Sequence, residues 1–277
     1  MEGRHATGHT ARICTIGDLI LDVVVLPHAP MSPDADTPAS IRFTAGGQAA
    51  NVAAWASALG ADARLICKRG DDAGGELARA ELARHRVEVC GPVVEGSGGV
   101  VVSTRDVHGR RTMASDRGVA AQLEPSEIDP AWVEGCDVLH VSGYCLLREG
   151  MADAAAYAAR HAPRVTVDLA SAHDIELLGA ELFTARLAAL GADLAFATEA
   201  ERAAVPEFDT VWVIKLGARG ARFPEGTFDA PPVEVVDTTG AGDALAAGYL
   251  VGGPELAIEA AARCVTLVGA MPPGTLG

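Results

Sequence analysis

The stretch Val233 to Leu250, VEVVDTTGAGDALAAGYL, holds the residues best placed for chemistry. Two threonines follow Asp237 and lead into Gly240, Ala241 and Gly242, after which Asp243 opens an apolar run at helical spacing. Glycine tolerates positive φ and lets backbone come close to a ligand, and the first N–H groups of a helix lack intrahelical acceptors. A strand over Val233–Val236, a glycine turn and a helix therefore predict a cradle of backbone N–H groups for an anion. Asp243 has two readings. It can cap the helix and complement its positive end, or it can take a hydroxyl proton as general base while the N–H groups stabilise a phosphoryl group in flight.

Other nucleotide devices are missing from the sequence. There is no G-x-x-x-x-G-K-S/T loop, and no G-x-G-x-x-G follows the first strand. The glycine pair Gly46-Gly47, opening the run GGQAANVAAWASALG, is weak evidence alone but reads as a turn starting an amphipathic helix.

The bulk of the chain sets limits on what that cradle could serve. The 277 residues carry 22 Lys plus Arg against 37 Asp plus Glu, a formal charge of −15 that would repel an extended polyanion. Nucleic acid and anionic membrane are therefore excluded as main partners, whereas a small anion can still be held locally. Six scattered cysteines show no C-x-x-C pair and no zinc-ligand spacing, which predicts reduced, mostly buried thiols. The eight histidines form no H-E-x-x-H or triad grouping. The apolar run from Ile13 to Leu26 is interrupted by Asp18 and Asp22, which a signal or spanning segment would not tolerate, so a soluble cytoplasmic protein is expected.

The elements that must position these residues follow from hydrophobic periodicity. Ile13–Gly17 and Leu19–Leu26 read as strands, Arg64–Lys68 as the next, Asp72–His85 as helix and Val87–Val94 as extended. Gly99–Arg105 and Arg110–Ser115 flank an Asp-Val-His-Gly-Arg turn and suggest a small antiparallel flap. From Asp137 onward strands alternate with helices: Val138–Ser142, Met151–His161, Arg164–Asp168, Glu181–Leu190, Leu194–Ala197, Val211–Leu216, Val233–Val236 and two closing helices. Such alternation predicts a mostly parallel sheet covered on both faces, with its site at the carboxyl ends of the strands.

Five ordered segments make the chain resemble the ribokinase-like (PfkB) carbohydrate kinase family along nearly its whole length. They are GDLILD at 17–22, GGQAAN at 46–51, TEAE at 198–201, KLGARG at 215–220 and DTTGAGD at 237–243. The resemblance implies one α/β domain over 1–277, a three-layer sandwich with a small β-sheet lid whose strands fall within 20–45 and 98–118. It further implies transfer of the ATP γ-phosphate to a hydroxyl of a small sugar or sugar-like substrate. Asp243 matches the catalytic base, and Gly240, Ala241 and Gly242 match the anion hole. Asp22, Gly46, Gly47 and Asn51 match positions that hold sugar hydroxyls, with Gln48, Asp18 and Arg117 as further substrate-site candidates. Lys215, Gly217, Gly220 and Thr238 resemble the surroundings of the nucleotide.

The family usually carries Asn-x-x-Glu before the nucleotide turn, and here Phe196, Ala197, Thr198 and Glu199 stand there. Glu199 acting through water, assisted by Asp168, is then expected to hold Mg²⁺. The resemblance leaves K⁺ open as an activator and implies a homodimer formed through the lid. Two alternatives stay open beside the sugar kinase: a nucleoside or pseudouridine kinase, with Phe43, Trp55 and Tyr144 as stacking candidates, and a catalytically weak sugar or nucleotide sensor, suggested by Phe196.

Overall fold

A computed structural model describes residues 10–105 and 111–274. The parallel strands of the large sheet are β1 (Arg12–Ile16), β4 (Asp62–Ile66), β6 (Glu88–Cys90), β10 (Val138–Ser142), β11 (Val165–Asp168), β12 (Leu194–Thr198) and β13 (Val211–Lys215). An antiparallel hairpin, β14 (Ala221–Phe223) and β15 (Gly226–Phe228), extends one edge, giving the order β15-β14-β13-β12-β11-β10-β1-β4-β6. A second sheet joins β2 (Ile20–Pro27), β3 (Ala39–Gly46), β8 (Gly99–Arg105) and β9 (Arg111–Asp116) in the order β3-β2-β8-β9. This smaller sheet is called the lid below, and within it β2 and β8 pair in parallel. A two-stranded parallel piece pairs β5 (Arg69–Gly70) with β7 (Val93–Val94).

Helices cover both faces of the large sheet, as βαβ connections require. One face packs α1 (Gln48–Ala58), α7 (Ala241–Gly252) and α8 (Pro254–Cys264) around Ile13, Leu65 and Phe196, with α2 (Ala73–Ala83) at its margin. The other packs α3 (Glu149–Ala159), α4 (Ala172–Leu178), α5 (Ala180–Leu190) and α6 (Glu199–Ala204) around Cys14, Leu139 and Val167. Strand neighbours point to opposite faces, which is why Ile13 and Cys14 belong to different cores. Small side chains set the helix spacing: a Cβ on Gly248 of α7 would stand 2.6 Å from Ala257 Cα of α8. No helix among the described residues is long and apolar enough to cross a membrane.

Several expectations need correction. Val233–Val236 is not a strand: Pro231 and Pro232 supply no N–H to a ladder, and Val236 and Asp237 donate instead to the Val265 carbonyl. The Val87–Val94 run breaks at Gly91 (φ 121°) into β6 and β7, which pair with different strands. The hairpin β14–β15 was not anticipated. The thiols are not all reduced: Cys14 and Cys136 form a disulfide with Cα atoms 5.9 Å apart. Pairing of β1 with β10 sets Ile13 opposite Val138, and this brings Cys14 and Cys136, 122 residues apart in sequence, side by side. Cys67, Cys90, Cys145 and Cys264 are free. The flap turn at 106–110 lies outside the described residues.

Candidate active site

The site forms where β1 separates β4 on one side from β10 on the other, the switch point of the parallel sheet. β1 ends before Gly17 and Asp18, β10 at Ser142, β11 at Asp168 and β13 at Lys215, and all four ends face the starts of α1 and α7.

Gly240 precedes α7 in the left-handed region (φ 79°), and a Cβ there would lie 2.6 Å from Ala270 Cα. That turn is held from beneath by Asp237, which the sequence reading left out of the site. Its Oδ1 accepts from Thr239 N (2.9 Å) and Thr239 Oγ1 (2.6 Å), and its Oδ2 from Gly269 N (3.0 Å). Thr238 is exposed on the loop, and Ala241 and Gly242 begin the helix. Asp243 sits in the first turn, where its Oδ2 accepts from Asn51 Nδ2 at 2.6 Å. Burial, then the charge of Asp168, pushes its carboxyl up to about 7, against the lowering by Asn51 and Lys215.

Lys215 does not reach outward for phosphates. Its Nζ pairs with Asp168 Oδ1 at 2.5 Å and lies 3.8 Å from Glu201 Oε2, directly under the helix start: a Cβ on Gly242 would come within 3.3 Å of it. Burial pulls the ammonium down, yet Asp168 and Glu201 more than offset this and raise it. Asp168 is fully buried and raised to about 6 by burial, with Lys215 lowering it, and its Oδ2 has no partner among the described residues. Glu201 was also missed. It closes a capping box with Thr198 at the start of α6, the signal that T-E-A-E carries at 198–201.

The glycines around Lys215 serve the backbone. Gly217 (φ 61°) and Gly220 (φ 92°) bound a single 3₁₀ turn between β13 and β14, and a Cβ on Gly220 would strike the Phe228 carbonyl at 2.0 Å.

On the other side of Asp243, Gly47 (φ 103°) precedes α1, and its added Cβ would meet the Asp18 carbonyl at 2.2 Å. A Cβ on Gly46 would sit 2.3 Å from Asp22 Oδ2, so the glycine pair lets both acidic segments pack on the helix start. Gln48 Oε1 accepts from Ser142 Oγ (2.7 Å) and Gly143 N (3.0 Å). Asp18 is buried and paired with Arg117, whose guanidinium lies 4.8 Å over the Tyr144 ring.

The two carboxylates expected to hold Mg²⁺ are each paired with a cation of the chain. Asp168 is locked beneath the site by Lys215, while Glu199 stands exposed and paired with Arg219. No cluster of three or more His, Cys, Asp or Glu side chains suited to a metal occurs among the described residues. Phe196, in place of the usual Asn, is fully buried edge-on to His140 and Tyr249. With Asp168 engaged by Lys215, only the exposed Glu199 has room to act through water as expected, and direct ligation of Mg²⁺ by the pair does not fit these side chains. A cleft of about 550 Å³ lies at the opposite, amino ends of the strands, lined by Arg12, Asp62 and Glu88, away from this chemistry.

The pfkB family carbohydrate kinase model matches residues 10–271. The chain belongs to this family. As a pfkB-family member it is an ATP-dependent carbohydrate kinase. It is 34% identical to the ATP-dependent ribose-1-phosphate kinase of Halopiger xanaduensis over 92% of this chain and 91% of that one. It is 29% identical to the fructoselysine 6-kinase of Shigella flexneri, over 87% of this chain and 88% of that protein. Among solved structures, the adenosine kinase of Sinorhizobium meliloti superposes with a TM-score of 0.82 at 23% identity, covering 96% of this chain and 97% of that one. That likeness extends the family assignment to the ribokinase-like fold.

Proposed function

We propose that the protein transfers the γ-phosphate of ATP to a hydroxyl of a small sugar or sugar phosphate, with Asp243 as the base. The observation that carries this reading is the position of Asp243. It lies in the first turn of α7 behind a left-handed glycine, bonded to Asn51 from the facing helix start, with its carboxyl poised near neutrality. A base with that poise can take a proton at physiological pH, and the free N–H groups of the same turn stabilise charge on the phosphoryl group.

Asp22, Asn51 and the backbone at Gly46 and Gly47 hold the acceptor's hydroxyls, since a half-buried carboxylate and a buried amide oxygen select ligands with matching donors. Gly217, Gly220 and Thr238 border the nucleotide, and Lys215 acts from below through the helix start. The 34% identical ribose-1-phosphate kinase supports a phosphorylated sugar within this range. One domain carries the whole reaction, with the lid excluding water from the acceptor. A coupled ADP-release screen over pentoses, hexoses, their phosphates, keto-acids and nucleosides, with and without K⁺, tests the reading. Turnover with one acceptor and its loss in Asp243→Asn, with ligand binding kept, is expected. Near-normal turnover in that variant overturns the assigned base.

A further inference from the structure

Two side chains with unspent donors reach consecutive residues at the carboxyl end of β10, Gln48 through the Gly143 N–H and Arg117 over the Tyr144 ring. Gln48 accepts two hydrogen bonds through Oε1, from Ser142 Oγ and Gly143 N. Its amide is thereby oriented, and both Nε2 hydrogens lack an acceptor among the described residues. Arg117, arriving from the end of lid strand β9, lies over the Tyr144 ring and gives Nη1 to Asp18. Ring and carboxylate fix its plane, while Nε and Nη2 have no partner among the described residues.

The other side chains gathered around the starts of α1 and α7 have the opposite polarity. Asp18 Oδ1 and Asn51 Oδ1 are buried acceptors with no donor among the described residues, and Asp22 and Asp243 add carboxylates. Hydroxyls suit that wall, because each can donate. A fixed guanidinium fork beside an amide donor is matched instead by a group that only accepts.

We infer that the acceptor carries an anionic group, a phosphate or a carboxylate, seated on Arg117 and Gln48 and separate from the hydroxyl that Asp243 deprotonates. The inference rests on the reading of the cleft as the acceptor site. Pairing with Asp18 engages Nη1, and the fork's second edge, Nε with Nη2, remains available to an acceptor.

Calorimetric titration of D-ribose, D-ribose 1-phosphate and D-ribonate into the full chain tests this inference. At least one anion is expected to bind about 100-fold more tightly than ribose, the scale of charge-assisted hydrogen bonds to a mostly buried fork. Arg117→Met should abolish that preference. Arg117→Lys, which keeps the charge and the Asp18 partner but loses the fork, should reduce it about 10-fold. Gln48→Met should weaken the anion more than ribose, and it carries the test with Arg117→Lys if Arg117→Met does not fold. Which anion wins distinguishes phosphate from carboxylate. Ribose binding as tightly as both anions, no binding of either anion, or equal losses for all three ligands overturns the inference. ADP release with the same ligands reports separately on the kinase reading: an anion bound through Arg117 without turnover counts against Asp243 alone, and turnover of ribose without anion preference counts against the anion subsite alone.

Discussion

Asn51 Nδ2 and Asp243 Oδ2 lie 2.6 Å apart across 192 residues of chain. One side chain belongs to the first turns of α1 and the other to the first turn of α7. The bond therefore ties together the two helix starts that border the acceptor and the phosphoryl group, and it favours the ionised form of the base. Asn51→Leu removes that support, so the carboxyl of Asp243 should rise further. The acidic limb of kcat/KM, expected near pH 7 in the parent, should move to higher pH, with a larger loss of rate at pH 6.5 than at pH 8.5. A limb that stays in place would show that the bond has no part in tuning the base.

Asp243 also links activity to stability with opposite signs. Its folded carboxyl, near 7, stands above the ordinary aspartate value of about 4 expected in the unfolded chain. The native state thus binds the proton more tightly, and stability falls as pH rises from about 4 to 7, remaining low above that range. Asp243→Asn keeps the size of the side chain and removes the buried charge. Its melting temperature should exceed that of the parent at pH 8 and approach it at pH 4, while phosphoryl transfer is lost at both. Urea unfolding at the two pH values provides the equilibrium check.

Lys215 is the cation that makes a buried carboxylate tolerable under the anion hole. Removing one member of such a pair costs about 3 kcal/mol when the other charge is left behind. Asp168 can escape part of that cost by taking a proton, and its carboxyl already stands near 6. Lys215→Met should therefore destabilise the protein more at pH 8 than at pH 5.5. Equal shifts in melting temperature at both pH values would mean that the pair contributes packing only.

Much of this site is legible in the sequence because glycine and proline act locally. DTTGAGD gives its turn away through Gly240, whose left-handed φ and contact with Ala270 leave no room for a side chain. GGQAAN does the same for the start of α1. What stays hidden are relationships made by the sheet. Lys215 and Asp168 lie 47 residues apart and meet only because β11, β12 and β13 stack in register. The strand expected at Val233–Val236 has the right residues for a strand, yet the two prolines before it and the Val265 carbonyl redirect its N–H groups. Glu199 acting through water with help from Asp168 is a reading of one motif and one strand end, and the structure gives each carboxylate its own cation.

The lid leaves apolar side chains outside: Ile41 and Phe43 on edge strand β3 are 56% and 55% exposed, and Val102 on β8 is 36% exposed. Ile41 pairs with Val25 and Phe43 with Val23, so these residues share one lid face with Val102. We propose that a second copy covers this face. Phe43→Ser with Ile41→Ser should convert a dimer to a monomer in sedimentation while leaving the melting temperature of the α/β core nearly unchanged. A parent that already sediments as a monomer at micromolar concentration removes the proposal.

Gly47 offers a test of how the acceptor wall is assembled. Its φ of 103° is strained for any residue with a side chain, and a Cβ would press on the Asp18 carbonyl at 2.2 Å. Gly47→Ala must therefore shift either the start of α1 or the loop that carries Asp18, at a cost of about 2 kcal/mol. The displacement falls on Gln48 and Asp18, whereas the turn before Asp243 is braced independently through Asp237, Gly269 and Ala270. The KM for the acceptor should rise at least about tenfold while the KM for ATP changes little, because only misplaced acceptor contacts lose binding energy. Equal increases in both KM values would show that the two helix starts move as one body.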